Sequence, residues 1–441
     1  MTKITRHDFD IPNLGQAEFP SPLQRLRYEA NAEFMTDDGH RVLFDHSLDR
    51  VQAGIESGIE PATIERAGAR ERIFFNPTQT ICAVVTCGGL CPGLNDVIRG
   101  LVLTLNYSYG VRTIYGIPYG YEGFIPRYGH PPLNLTPDFV SDLNQDGGSI
   151  LGSSRGPQSK KEIVDFLVEY RVNVLFVIGG DGTLRGAQEI VAEVESRDLK
   201  ISVVGIPKTI DNDLEYMDKS FGFETAFAEA VRTVRCAHIE AQGYPNGVGL
   251  VKLMGRDSGF IAAFAALAEN SVNYVLIPEV PFQLQGKHGL FACLEDRLSR
   301  RGHAVVVVAE GAGQHLMQNN SSATDASGNL KFGDIGPFLK KQIEGHFKAS
   351  DKEVNIKYID PSYVIRSVPA SPQDAIYCLR LAQNAVHAAM AGKTNVVVGR
   401  WHGHYVNLPM SVVTIRRRKV NPQGDLWLTV LEATGQPAEF K

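Results

Sequence analysis

A glycine-rich segment near the middle of the chain constrains the fold more than any other feature. The sequence GGDGT at residues 179–183 follows the apolar run at residues 174–178 and precedes a segment of helix length. A buried strand that ends in small residues exposes backbone N–H groups at its carboxyl edge, and the positive end of the next helix favours an anion there. The pattern therefore predicts an α/β sheet with a phosphate site at residues 179–183.

Asp181 stands out in this segment, because a carboxylate beside bound phosphates would repel them. A divalent cation that neutralises those phosphates, Mg2+, gives the carboxylate a role. The alternative is a glycine-rich turn without a ligand, in which Thr183 caps the following helix.

A second acidic turn follows about one βαβ unit later. The sequence IPKTIDND at residues 206–213 comes after the apolar run at residues 201–205. Because helices that join parallel strands bring successive strand ends to one sheet edge, both turns are expected at the same edge. Asp211 is the candidate general base, since phosphoryl transfer to an alcohol uses a carboxylate that accepts the hydroxyl proton. Asx-turn chemistry at residues 211–213 is the alternative.

A third glycine turn, GGLCPGLN at residues 88–95, follows the strand-like run at residues 81–86. Its spacing does not match G-x-G-x-x-G, so a dinucleotide fingerprint is not supported. The glycines still allow the backbone to approach a phosphate closely, although the turn is a weak signal by itself.

These three segments, with LGSSRG at 151–156, KLMGR at 252–256 and YVIR at 363–366, resemble the 6-phosphofructokinases. The resemblance follows the family's order from about residue 80 to about residue 400. It is closest to the long branch that includes protist and plant ATP-dependent enzymes and is related to pyrophosphate-dependent ones. It implies a glycolytic enzyme that transfers the γ-phosphoryl group of Mg-ATP to the 1-hydroxyl of fructose 6-phosphate.

The resemblance also assigns residues to the reaction. Asp211 matches the proton acceptor and Asp181 the acid linked to Mg2+, and Thr209, Arg256 and Lys208 complete the expected catalytic set. The residues expected to contact the nucleotide are Gly88, Tyr121, Arg155, Gly156, Gly180, Asp181, Gly182 and Thr183. The residues expected to contact fructose 6-phosphate are Thr209, Asp211, Met254, Gly255, Arg256, Glu310, Lys357, Tyr363 and Arg366.

Arg256 and Arg366 suit a sugar phosphate chemically. A guanidinium pairs with phosphate through two N–H groups, whereas lysine offers only a point charge. The alternative for Arg256 is an ordinary solvated residue at a helix start.

The expected phosphoryl donor depends on Gly182 and Lys208. Family members that use pyrophosphate usually carry Asp in place of Gly182, where the side chain would occupy and repel the nucleotide α-phosphate. Lys208 is typical of those pyrophosphate enzymes, but a lysine helps to neutralise either donor. Because Gly182 leaves the space open, we predict ATP as the donor. A pyrophosphate-dependent transferase is the first alternative, and a non-catalytic regulatory subunit is the second.

The length of 441 residues exceeds what one hydrophobic core usually holds. We predict two Rossmann-like three-layer α/β domains with parallel-rich sheets and an active site in the cleft between them. The donor domain is placed at residues 79–221, rejoined by part of 366–441, and the fructose 6-phosphate domain at 222–365. Residues 1–78 are expected to cover the donor domain or to wrap a neighbouring subunit. Residues 313–332 are expected to form a surface loop.

The charge and composition exclude several classes of protein. A net charge of −5 argues against a nonspecific nucleic-acid binder. The cysteines lack metal-ligand spacing, no apolar run is long enough to cross a membrane, and no secretory signal is evident. We therefore expect a cytoplasmic enzyme with no nucleic-acid or membrane partner, assembled as a homotetramer or, alternatively, a homodimer.

One dense basic run, RRRK at residues 416–419, stands near the end of the sequence. We interpret it as a solvated strand or loop. The functional alternative is an effector-phosphate site or a subunit contact.

Overall fold

The computed structural model describes residues 6–30, 34–317 and 332–441 of the chain. These residues form two compact units. Unit 1 contains Met1–Thr209, Leu214–Phe221 and Pro369–Arg416, and unit 2 contains Ile210–Asp213, Gly222–Val368 and Arg417–Lys441. Most of the predicted surface loop, residues 318–331, lies outside the described ranges.

The described strands are β1 (Phe19–Pro20), β2 (Arg41–Leu43), β3 (Thr63–Arg66), β4 (Arg72–Ile73), β5 (Ile81–Thr86), β6 (Thr113–Ile117), β7 (Leu133–Asn134), β8 (Val174–Gly179), β9 (Ser202–Pro207), β10 (Gly247–Leu253), β11 (Tyr274–Leu276), β12 (His303–Ala309), β13 (Asn355–Ile359), β14 (Val396–Trp401) and β15 (His404–Pro409). The described α-helices are α1 (Gln24–Ala30), α2 (Leu48–Glu56), α3 (Leu94–Leu103), α4 (Lys160–Glu169), α5 (Asp181–Ser196), α6 (Phe223–Gln242), α7 (Phe260–Ala268), α8 (Leu290–Arg301), α9 (Ile335–Ala349), α10 (Val364–Ser367), α11 (Pro372–Met390), α12 (Met410–Val413) and α13 (Asp425–Thr434).

Unit 1 is built on a sheet whose described strands have the order β2-β3-β15-β14-β9-β8-β5-β6-β7. Its centre, from β14 to β6, is parallel, and the outer pairs are antiparallel. The central strands β8 and β9 are buried along their whole length, because helices cover both faces of a parallel sheet. This burial explains why their sequences are continuous apolar runs rather than alternating ones.

Both faces of this sheet are packed. On one face, Val85 and Val177 join a core with Ile163 of α4 and Leu184 of α5. Strand residues whose side chains point to the other face, such as Phe176, are equally buried. On that side α11 packs against β9 and β14. Unit 1 is therefore a three-layer α/β structure.

Unit 2 has a parallel sheet of described strands in the order β11-β12-β10-β13. On one face, Leu250 packs with Leu294 of α8 and Ile343 of α9. On the other face α6 lies very close to β10, since a Cβ added at Gly249 would stand 2.6 Å from the carbonyl oxygen of Ala237. Unit 2 is also a three-layer α/β structure, so the predicted fold class is confirmed.

The N-terminal segment supplies strands to the sheet of unit 1. β2 pairs with β3, and β3 pairs with β15 in antiparallel register. Glu65 of β3 is buried, where its carboxylate accepts hydrogen bonds from Arg70 at 2.8 Å, Lys393 at 3.0 Å and Asn407 at 2.8 Å. Part of this segment therefore belongs to the sheet itself, an arrangement that the weak periodicity of residues 1–78 does not predict.

Several cysteines belong to the core of unit 1. Cys82, Cys87, Cys91 and Cys378 are buried thiols. Burial raises the pKa of the Cys87 thiol to about 12, so this side chain stays protonated at neutral pH.

In the part of the chain that the structure describes, no helix combines the length and the apolar character that a membrane crossing requires.

Asp96 of α3, which packs against α11, provides a test of pH-dependent stability. Burial raises the pKa of Asp96 to about 6, and the fully buried Asp374 adds to the shift. Because the folded state binds this proton more tightly than the unfolded state, Asp96 contributes stability below about pH 4 and loses it as the pH rises to about 6. A pKa of about 6 in place of the ordinary value near 4 corresponds to about 3 kcal/mol.

We therefore expect Asp96→Asn, which mimics the neutral acid, to raise Tm by several degrees at pH 8. The gain should shrink as the pH is lowered through 6. Differential scanning calorimetry at pH 5 and pH 8 measures both values. An equal gain at the two pH values would contradict the explanation.

Candidate active site

The GGDGT segment forms the junction between strand β8 and helix α5. Gly179 ends the strand, extended Gly180 (φ −88°, ψ −165°) is the N-cap residue, and the helix begins at Asp181. A Cβ at Gly179 would stand 2.3 Å from the Thr183 side chain, so only glycine allows Thr183 to pack against the strand end. Thr183 is the third residue of the helix and not its cap, so the capping alternative is wrong.

Open space lies beside Gly182, the second residue of α5. A Cβ added there would meet no atom within 4 Å. The first N–H groups of a helix have no partner within the helix, and the helix dipole attracts negative charge to this end. The junction therefore offers backbone donors and free volume together, as an anion site requires.

Asp181 lies at the same helix end with its side chain only 16% exposed. Its carboxylate accepts a hydrogen bond from Arg185 Nε at 3.0 Å, one turn further along α5. Mg2+ usually binds to proteins through one or two carboxylates, with phosphates and water completing its coordination. A single acid beside a phosphate site fits this chemistry. Within the described ranges, no group of three or more His, Cys, Asp or Glu side chains forms a metal site by itself.

Lys208 connects the second motif to the other two. It follows β9, its N–H donates to the Gly179 carbonyl at 3.0 Å, and its buried Nζ donates to the Gly89 carbonyl at 2.7 Å. Gly88 adopts a left-handed conformation (φ +87°), and its N–H donates to the Ser154 carbonyl at 3.1 Å. Because β5, β8 and β9 are adjacent and parallel, the three motifs meet at one sheet edge, which the sequence predicts for the two acidic turns.

Other residues that are predicted to contact the nucleotide flank these three motifs. The buried Tyr121 donates its hydroxyl to the Thr183 carbonyl at 2.8 Å, and a Cβ at Gly186 would stand 2.9 Å from its ring. Tyr121 thus supports the first turn of α5, while its predicted contact with the nucleotide stays a prediction. Arg155 is exposed, and Gly156 is left-handed (φ +102°). Ser220 Oγ donates to the Thr209 carbonyl at 2.5 Å, which fixes the backbone of this predicted catalytic residue.

The candidate base, Asp211, lies in unit 2. Its carboxylate accepts the backbone N–H of Arg256, and its carbonyl accepts Ser258 Oγ at 3.0 Å. Burial raises the pKa of Asp211 well above its usual range, and the charges of Asp213 and Glu310 add to this effect. A carboxylate with a raised pKa is a stronger base, which suits proton abstraction.

Glu310 lies beside the predicted phosphate-binding arginines. It follows β12, where its N–H donates to the Leu253 carbonyl at 2.9 Å. Burial raises the pKa of Glu310, while the positive charges of Lys252, Arg256 and Arg366 oppose the shift. The charges of Arg256 and Arg366, both expected to hold the sugar phosphate, therefore act on Glu310.

The remaining acceptor-side residues lie around these charges. Gly255 has φ +130°, and a Cβ there would stand 2.5 Å from the Ser258 carbonyl, so the backbone beside half-buried Met254 requires glycine. The Arg256 guanidinium lies 4.2 Å from the Phe332 ring centre, and the Arg366 guanidinium lies 4.8 Å from that of the exposed Tyr363. On β13, Lys357 Nζ lies 3.9 Å from the ring centre of Tyr244. The ligand contacts of these residues stay predictions.

The basic run lies in a loop, as predicted, and Arg416 and Lys419 are exposed, but Arg417 and Arg418 are only partly solvated. Arg416 Nε donates to Glu215 at 2.8 Å, and the Arg418 N–H donates to the Asp213 carbonyl at 2.8 Å. Arg417 pairs with Asp257 through Nη1, and its Nε lies 3.9 Å from Asp213 Oδ2. The acidic partners lie about 160 to 200 residues earlier in the chain. No local sequence signal identifies them.

Comparison with known proteins gives the family. The family model for phosphofructokinase matches residues 81–389. The chain is 48% identical to the ATP-dependent 6-phosphofructokinase of Borreliella burgdorferi over 442 residues, which cover 98% of both chains. It is 44% identical over 436 residues to the ATP-dependent 6-phosphofructokinase 7 of Arabidopsis thaliana, with 97% of this chain and 88% of the plant chain covered.

Among solved structures, the chain is similar to the pyrophosphate-dependent phosphofructokinase of Marinobacter aquaeolei. The TM-score is 0.66 at 20% identity, with 80% of this chain and 91% of the other covered. At this identity the likeness concerns the fold, and it agrees with the α/β architecture of both units. With matches along almost its full length to plant and bacterial ATP-dependent enzymes, the chain belongs to the phosphofructokinase family.

Proposed function

We propose that this chain is an ATP-dependent 6-phosphofructokinase that converts fructose 6-phosphate to fructose 1,6-bisphosphate. The observation that carries the choice of donor is the open space beside Gly182 at the start of α5. An α-phosphate placed there would meet backbone N–H groups and the positive end of the helix dipole. The full-length relatives of this family named as ATP-dependent enzymes support the same choice.

On the donor side, the ends of β5, β8 and β9 would bind the nucleotide phosphates. The proposed contacts are Gly88, Tyr121, Arg155, Gly156, Gly180, Gly182 and Thr183. Asp181 would hold Mg2+, which would offset the charge of the phosphates when bound. To do so, the Asp181 carboxylate would exchange its hydrogen bond with Arg185 for the metal.

On the acceptor side, Arg256 and Arg366 would hold the 6-phosphate of the sugar through their guanidinium groups. Asp211 would accept the proton of the 1-hydroxyl while the hydroxyl oxygen forms a bond to the γ-phosphorus. The bond from that phosphorus to the bridging oxygen breaks, and ADP carries away the bonding electrons. Thr209, Met254, Gly255, Glu310, Lys357 and Tyr363 would orient the sugar.

Lys208 would act on the donor side in this scheme. Its buried ammonium already lies against the first glycine turn, where it would neutralise charge on the transferring phosphoryl group. This placement serves ATP and pyrophosphate equally, so Lys208 does not decide between them.

A donor assay tests the proposal. Purified protein is incubated with fructose 6-phosphate, Mg2+ and either ATP or pyrophosphate, and formation of fructose 1,6-bisphosphate is followed. We expect turnover with ATP and none with pyrophosphate. Turnover with pyrophosphate alone would reverse the assignment of the donor. No turnover with either donor would point instead to a regulatory subunit without catalysis.

The assembly forms part of the proposal. The resemblance implies a comparison with short bacterial family members, in which cations from a neighbouring subunit complete the sugar-phosphate site. Lys357 matches one such position, whereas the other, near Asn246 and Gly247, has no Arg or Lys. We therefore propose a homotetramer of the 48.3 kDa chain, with a homodimer as the alternative. Light scattering of the purified protein distinguishes the two.

A further inference from the structure

The basic run packs against two loops of the candidate acceptor site. One loop carries Asp211 and Asp213, and the other carries Arg256 and Asp257. Arg417 contacts both, because it pairs with Asp257 through Nη1 while its Nε lies 3.9 Å from Asp213 Oδ2. Its side chain is 28% exposed and that of Asp213 is 13% exposed, so this bridge is partly shielded from water.

The backbone after Arg417 is fixed to the same region. The Arg418 N–H donates to the Asp213 carbonyl at 2.8 Å, and the Arg418 guanidinium lies 5.0 Å from the Phe260 ring centre. Two residues later, the Val420 N–H donates to Glu279 Oε1 at 2.8 Å, and this oxygen also accepts the Gly259 N–H at 3.0 Å. The segment is therefore held in place at several points, and Arg417 is not a freely moving surface side chain.

Asp257 has a second possible partner. Arg256 Nε lies 4.0 Å from Asp257 Oδ2, the oxygen that Arg417 contacts. A carboxylate next to Arg256 competes with a sugar phosphate for its guanidinium. While Arg417 occupies Asp257, this competition is weakened, because the guanidinium of Arg417 offsets the negative charge.

We propose that Arg417 is a positioning residue for the acceptor site, which bridges Asp213 and Asp257 and so leaves Arg256 available to the sugar phosphate. The proposal rests on the proposed function. It adds a residue from the C-terminal part of the chain to a site otherwise built from earlier motifs.

The bridge also places a positive charge near the candidate base. Asp213 and Glu310 raise the pKa of Asp211 in addition to its burial, whereas the Arg256 N–H and Arg417 lower it. Loss of the Arg417 charge should therefore raise the pKa of Asp211 further. The rate would then begin to fall at a higher pH on the acid side of the profile, since only the ionised base accepts a proton.

The test is Arg417→Met, which keeps much of the side-chain length and removes the charge. We expect KM for fructose 6-phosphate to rise about tenfold, equivalent to about 1.4 kcal/mol. KM for ATP should stay within about twofold, because Arg417 acts on the acceptor loops. The acid limb of the kcat profile should move to higher pH. Loss of a purely structural contact would not produce this combination.

Three further variants sharpen the test. Arg416→Met removes the neighbouring arginine, which pairs with Glu215, and should leave both KM values and the pH profile unchanged. Adding Asp257→Asn to Arg417→Met removes the competing carboxylate, so KM for fructose 6-phosphate should return towards the wild-type value. Arg417→Lys keeps the charge without the planar fork, so its pH profile should stay close to wild type while KM remains raised.

The outcomes separate this inference from the proposed function. A wild-type protein that does not convert fructose 6-phosphate to fructose 1,6-bisphosphate would contradict the proposed function. Normal wild-type turnover, with unchanged KM and pH profile in Arg417→Met, would overturn the inference alone. If Arg417→Met does not fold, Arg417→Lys alone and Arg417→Lys combined with Asp257→Asn carry the comparison. A wild-type KM in Arg417→Lys, or no fall in its KM when Asp257→Asn is added, would then overturn the inference.

Discussion

Replacing Asp211 with asparagine is expected to lower kcat by about a hundredfold to ten-thousandfold, the usual contribution of a general base. Asparagine has the same shape and can still accept the Arg256 N–H, but it cannot take up the hydroxyl proton. The substitution also removes a buried carboxylate from beside Asp213 and Glu310, so the variant should be folded and at least as stable as the wild type. KM for fructose 6-phosphate should change little, because the arginines that would hold its phosphate remain.

Steady-state kinetics and a thermal melt of the purified variant check these expectations. Asp296→Asn is a matched control in the same unit, because Asp296 is exposed on α8 and pairs only locally with Arg300 among the contacts of the described chain. It should retain wild-type kcat. Wild-type turnover in Asp211→Asn would remove this residue from the mechanism.

Replacing Gly182 with aspartate is expected to lower kcat/KM for ATP by about a hundredfold, or about 3 kcal/mol. The new carboxylate would enter the open space beside the first turn of α5 and repel the nucleotide α-phosphate. The protein itself should tolerate the change. A Cβ meets no atom within 4 Å there, and an acidic residue is favourable in the first turn of a helix.

Two controls separate charge from bulk. Gly182→Asn has nearly the same volume without the charge, so it should impair ATP use less than aspartate does. Gly345→Asp, at a position on α9 that also has open space around its Cβ, changes the net charge equally away from the site and should leave kinetics unchanged. Unchanged ATP kinetics in Gly182→Asp would show that this space does not receive the nucleotide.

The sheet edge of unit 1 could be predicted from the sequence because its signals are local. Each motif directly follows a continuous apolar run, and a buried parallel strand has to be apolar on both faces. The run at residues 81–86 coincides with β5, and β8 extends the run at 174–178 by one glycine. The start of α5 was harder to place. Gly182 reads as part of a turn, whereas the helix already begins at Asp181, with Gly180 as its N-cap residue.

The parts that sequence reasoning missed depend on distant partners. Nothing near Arg417 indicates that its charge is met by Asp213 and Asp257, because the contact exists only once both loops are in place. Tyr121 illustrates another difficulty. The resemblance assigns Tyr121 to the nucleotide site, and that contact stays a prediction, whereas its hydrogen bond to the Thr183 carbonyl and its place in the core were not foreseen.

The pairing of β3 with β15 has a consequence for biosynthesis. Glu65 and Asn407, which are joined by a hydrogen bond across this pairing, are separated by 342 residues. A ribosome makes the chain from the N-terminus, so the edge of β3 that pairs with β15 has no partner until the 342 residues from Glu65 to Asn407 have been made. Exposed strand edges are prone to pair with other chains, and distant pairings form slowly. The nascent chain therefore exposes an unpaired, aggregation-prone edge of β3 until β15 is released to complete the sheet.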